Sequence, residues 1–160
     1  MDEALWALVT DVVRRVQQAV EKRQAPAIVI LDGHRRLVLS DYDYLRDQDA
    51  ALAFEARAAE HARTLDVRHF AFAVPQVVVS DEPGSYAARA VSNHPLRPGE
   101  QETIVWTGFD RANGVYFGVA PFSRRPSGRP VFDEPTTLDV PLRAEDRMPG
   151  VRLLRALTAS

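Results

Sequence analysis

The sequence predicts a single α+β domain. A mostly antiparallel sheet of five to six strands carries two long helices, in the order α-β-β-α-β-β-β-β. Three observations predict it. A helical hydrophobic period opens the chain, two short aliphatic runs flank an Asp-Gly pair, and a series of β-like runs follows from Val67 onward. The chain has 160 residues, of which 46% are apolar and 26% charged. A chain of that size buries roughly 70% of its extended surface, enough for one core without a metal or a disulfide.

The first helix is expected from Asp2 to about Arg23. Leu5, Leu8, Val9, Val12, Val16 and Val20 recur at three- and four-residue steps, and Asp11, Arg14, Arg15, Gln18, Glu21 and Lys22 take the other side. Trp6 and Val13 widen the apolar stripe. A stripe so wide needs full coverage by the chain's own sheet or a partner helix across a dimer. Pro26 ends the helix.

Ala27–Leu31 and Arg36–Ser40 then read as a β-hairpin around Asp32-Gly33, with the glycine expected at positive φ. Asp41 and Asp43 lie in the exit loop, and Asp47 or Asp49 starts a second helix that runs to about Leu65. Its buried stripe is thin and alanine-rich: Ala51, Phe54, Ala58, Ala62 and Leu65. These acids lack the glycine and closing glutamate of a calcium loop, so they read as turn and helix-cap residues.

His69–Val79 is β-like but contains Pro75, which predicts two strands or one bulged edge strand. Tyr86–Ser92 is a short strand. Thr103–Phe109 and Val115–Ala120 form a second hairpin closed by Asp110–Gly114; both arms are apolar on both faces, which places them centrally. After Pro121 prolines recur. The compact core is expected over about 2–121 and a proline-rich extension over about 122–160, with one strand near Val131 and a short helix at Val151–Leu157. Consecutive strands favour helices on one side of the sheet.

This element order is similar to the profilin-like arrangement shared by roadblock-type, PAS and GAF domains. The resemblance covers roughly the first 120 residues and rests on element order and the Asp-Gly hairpin. It implies a sheet-and-helix sandwich and transfers no site residue.

Several chemistries are excluded. With no cysteine there is no disulfide, thiolate site or cysteine nucleophile. His34, His61, His69 and His94 form no HxH, HxxxH or HExxH spacing, so no metal is expected. The eight glycines make no phosphate-binding loop, and no cofactor is expected. A net charge of −2 gives no bulk attraction to nucleic acid or to an anionic membrane. The acidic start Met1-Asp2-Glu3 and the short apolar runs lead to the expectation of a soluble, cytoplasmic protein.

Three groups of residues remain as candidate sites. Arg124, Arg125 and Arg129 cluster on a Pro/Gly loop and suit an anion or an acidic partner. Phe72, Trp106 and Tyr116 are candidate lining for a small-ligand pocket between sheet and helices. Ser92 and His94, with Asp81, are the only residues to suggest a nucleophile–base pair, without a GxSxG elbow. Missing catalytic spacing and the wide first helix lead to one expectation: a non-enzymatic binding or assembly module, acting through protein contacts as a homodimer. The alternatives are a small-molecule sensor, and a small enzyme whose site assembles only in three dimensions.

Overall fold

Among the residues that the computed structural model describes (1–82, 85–90, 95–138 and 148–158, with backbone alone at 80–82, 85–87 and 90), the chain forms three helices and eight strands. Asp2 caps α1 (Glu3–Glu21): its carboxylate accepts from the Leu5 N–H at 2.8 Å. Leu5, Leu8, Val9, Val12, Val13, Val16, Ala19 and Val20 are all buried. Each such aliphatic side chain contributes about 2 kcal/mol of transfer energy. They pack on Ile28, Ile30, Ala71, Ala73, Ile104 and Trp106 of the chain's own sheet. The stripe is covered internally at these positions, while Trp6 meets the Trp106 ring edge-on and stays 37% exposed.

β1 (Ala27–Asp32) and β2 (Arg36–Asp41) form the expected antiparallel hairpin, from Ala27 opposite Asp41 to Asp32 opposite Arg36. Gly33 is not at positive φ, contrary to expectation. The reason for a glycine is proximity: a Cβ there would collide with the Leu65 carbonyl, while the next residue, His34, donates its N–H to that carbonyl at 2.8 Å.

α2 (Gln48–Leu65) starts where the acids foretell. Asp47 accepts from the Ala50 N–H at 2.7 Å, and Asp41 accepts from the Asp43 N–H at 2.8 Å. These are cap and turn roles.

β3 (His69–Glu82) is one continuous strand, not the two strands or bulged edge strand that Pro75 suggested. Along one edge it pairs with β5 (Glu100–Asp110) from His69 to Val79. Along the other it pairs with β1 up to Ala73 and with β4 (Ser85–Ala90) from Gln76. Pro75 falls at the seam between those two partners, where a missing N–H deprives no neighbour. β6 (Gly114–Arg124) pairs with β5 as the second predicted hairpin, with Gly114 at φ +103 in the turn. β7 (Pro130–Phe132) and β8 (Thr136–Thr137) are short strands on its outer edge. The antiparallel order is β2-β1-β3-β5-β6-β7.

The helices lie on opposite faces, which corrects the expectation of one side. Phe70, Phe72 and Val74 of β3 point with Val29, Leu31 and Phe109 to α2, while Ala71 and Ala73 point to α1. A strand apolar on both faces has to be covered on both. The small alanines let α1 come close; the phenylalanines fill the wider gap.

The C-terminal helix α3 (Val151–Thr158) adds Leu153 and Leu154 to the α2-side core. Its start is held by Glu55 of α2, which is 1% exposed. The Glu55 carboxylate accepts from the Arg152 and Leu153 N–H groups at 3.1 and 3.4 Å and from the Tyr44 hydroxyl at 2.8 Å. Burial pushes the Glu55 carboxyl above the ordinary carboxylate range, against the pull of those three donors. Burial, then the neighbouring carboxylate, pushes the Tyr44 phenol up, so Tyr44 stays a donor.

Two outcomes are expected. A group whose folded value is raised binds its proton more tightly in the native state. Glu55 therefore supports folding fully below the ordinary carboxylate value, and that support falls as pH rises through the raised value. Chemical denaturation across pH should show the decline in the natural chain and not in Glu55→Gln; Glu55→Ala, which orphans three donors, should cost about 3 kcal/mol. Gly118 lies against the Trp106 ring, and a Cβ there would strike both that ring and the Thr136 carbonyl. Gly118→Ala should cost about 3 kcal/mol in denaturation and move the tryptophan emission.

Candidate functional site

Alternation along the strands assigns the residues of one sheet face. Val77 of β3, Glu102 of β5, and Phe122 and Arg124 of β6 share the face that α1 covers. These positions run beyond the C-terminal end of α1, where Arg23 adopts a left-handed turn at φ 61. The strands therefore overhang the helix, and the overhang is a cleft of about 650 Å³. Pro75, Val77 and Phe122 supply an apolar floor, and Val20, Arg23 and Gln24 form the wall. A side compartment of about 340 Å³ opens between Arg23 and the Ser127–Pro130 segment.

The turn between β6 and β7 carries the predicted arginine cluster. Gly128, at φ +88, donates its N–H to the Arg125 carbonyl at 2.7 Å, and Arg125 donates to the Arg129 carbonyl at 2.9 Å. These bonds set the turn and direct its side chains. Arg124 and Arg129 border the side compartment; Arg125 borders neither space.

Four guanidiniums (Arg23, Arg89, Arg124, Arg129) meet three carboxylates (Glu21, Glu100, Glu102) around the two spaces. Two of the arginines are matched. Arg89 holds Glu100 bidentately, at 2.6 and 3.0 Å. Arg124 donates to Glu102 at 2.9 Å and to the Gly128 carbonyl at 3.1 Å, and its guanidinium lies 5.5 Å from the centre of the Phe122 ring. The Arg89 guanidinium, then the Arg97 N–H, pull the Glu100 carboxyl down to about 2. That pair is charged on both sides at any physiological pH. Arg23 and Arg129 are exposed, and no ion-pair partner stands beside either among the described residues. With Glu21 as the one carboxylate left over, they give the two spaces a surplus of one positive charge.

The other candidates are placed as follows. Phe72 and Trp106 are both fully buried, on opposite faces of the sheet, and Tyr116 packs beside the Trp106 side; none lines the cleft. Ser92 and His94 lie outside the described residues, and Asp81 is described by its backbone alone, near the end of β3. Arg23 was missed because it stands 101 positions before Arg124 in the chain. Its only sequence signal is its place just after a helix. A second convergence, of Asp32, His69 and Asp110, was missed for the same reason: three strands carry it.

No protein-family model, no curated protein and no solved structure matches this chain. Among the described residues no helix is long and apolar enough to cross a membrane.

The depressed Glu100 value has a sign. A carboxyl lowered in the folded state supports folding above its ordinary value, and that support is lost as pH falls toward about 2. Carboxyl NMR titration should find Glu100 ionised well below the other glutamates, and Arg89→Gln should return it toward the ordinary range.

Proposed function

We propose that the chain is a non-enzymatic binding module that grips an acidic, extended segment of a protein partner in the cleft beside the arginine turn. The observation that carries this reading is the pairing of an apolar floor with two uncommitted guanidiniums, Arg23 and Arg129. An extended peptide supplies both complements: an apolar side chain for Phe122 and Val77, and carboxylates for the rim. Guanidiniums match carboxylates in a forked geometry, which favours specificity over a single point charge. Assembly with a second copy is the first form of this reading, and the exposed Asp133-Glu134 pair offers a copy the acidic segment it needs.

A cleft of this volume also lies within the range that small ligands occupy. Native mass spectrometry separates the readings. A dimer that Arg23→Ala/Arg129→Ala returns to monomer supports assembly. A monomer that binds an acidic, leucine-containing peptide, roughly tenfold weaker in the double variant and weaker still at high salt, supports another protein partner. A small anion that copurifies and blocks the peptide favours the sensor. Arg125→Ala, off the cleft, should change nothing. A monomer that binds no acidic peptide overturns the proposal.

A further inference from the structure

At the other end of α1 the same sheet face presents different chemistry. Asp32 is directly opposite His69 on β3, and His69 is directly opposite Asp110 on β5. The three side chains therefore form a row across adjacent strands. The row lies under the N-terminus of α1, and Asp2 reaches it from above. One ligand atom each from Asp2, His69 and Asp110 lies within 4.8 Å of the others.

The imidazole is the informative member. Its side chain is 20% exposed. Nε2 stands 3.6 Å from an Asp110 carboxylate oxygen, and Nδ1 stands 3.6 Å from an Asp32 carboxylate oxygen. Both are beyond hydrogen-bonding distance. The ring is only partly buried, and neither nitrogen has a hydrogen-bond partner among the described residues, so both stay open to a ligand.

The spacing suits an ion. Ligand atoms about 2.1 Å from a tetrahedral centre are about 3.4 Å from one another, close to the Nε2–carboxylate separation. Asp110 is 4% exposed, and its carboxylate is aimed by the Ala112 N–H at 2.9 Å and the Asn113 amide at 2.8 Å. Asp32 stands behind the ring on the nitrogen that does not face Asp110. A closure of a few tenths of an ångström would give the arrangement of a metal-bound histidine, whose second nitrogen is oriented by a carboxylate outside the ligand set. The helix dipole opposes a cation here by about half a unit charge, and three carboxylates outweigh it.

We propose that Asp2, His69 and Asp110 bind one divalent first-row transition ion, with Asp32 orienting the His69 ring and water filling the open positions. One imidazole and two carboxylates select zinc or manganese over magnesium, which prefers oxygen alone. The spacing rules that led to the expectation of no metal apply within one helix or strand. They do not reach a site spread over β3, β5 and a helix cap.

The test uses the full chain, free of any affinity tag and stripped by chelator. Calorimetry should find one zinc per chain, with manganese weaker and magnesium weakest. His69→Gln should lose at least 100-fold, and Asp32→Asn about tenfold, as for an outer carboxylate. Asp2→Asn keeps the helix cap, since asparagine caps as well as aspartate, and should still weaken zinc. In the natural chain, trace manganese should broaden the His69 ring resonances ahead of those of the other three histidines, a readout that needs no variant. Absence of zinc binding, zinc binding that His69→Gln leaves unchanged, or broadening that begins at another histidine each overturns the proposal.

Discussion

A strand that is apolar on both faces constrains everything around it. β3 alternates Phe70, Phe72 and Val74 toward one side with Ala71 and Ala73 toward the other, and all five are buried. Neither set tolerates water, so each demands its own cover. The alanine side admits α1 close to the sheet. The phenylalanine side takes α2 and then α3. The period of two that sorts these residues also sorts the polar ones. It places the Asp32–His69–Asp110 row, α1 and the arginine cleft on one and the same face. A helix of 19 residues spans about 28 Å, so the two polar regions stand that far apart with α1 between them.

How far the sequence was legible follows from the range of each interaction. The α1 period, the Asp32-Gly33 hairpin and the α2 cap depend on residues a few positions apart; the first two are where the sequence puts them, and the cap is Asp47, one of the two starts the sequence offers. Pro75 misled because its tolerance depends on where β1 stops and β4 begins, which local chemistry does not state. Gly33 misled in the opposite way: the residue was right for a turn, and the physical reason was the carbonyl of Leu65 at the end of another element. The sidedness of the helices is readable from Ala27–Leu31, five consecutive apolar residues without alternation, which a sheet covered on one side alone does not need.

The sites divide the same way. Arg124 and Arg129 are neighbours in the chain and in the cleft; Arg23 joins them only through the packing of α1. Phe72 and Trp106 looked like pocket lining because large aromatics serve both pockets and cores. Strand register decides between those uses by sending the two residues to opposite faces. Glu55, inside an alanine-rich stripe, carried a usable signal: a charged residue one position past Phe54 is costly to bury unless donors meet it.

The attachment of α3 has a kinetic side. The two backbone donors that Glu55 receives come from residues 97 and 98 positions further along the chain. Closing so long a loop costs more entropy than any hairpin in the sheet, and the carboxylate gains its donors only once that loop has closed. α1 and the β1–β2 hairpin need no such closure. Contact order therefore favours docking of the last helix onto a surface that the rest of the chain builds first, and without that helix Phe72 lies under an incomplete roof.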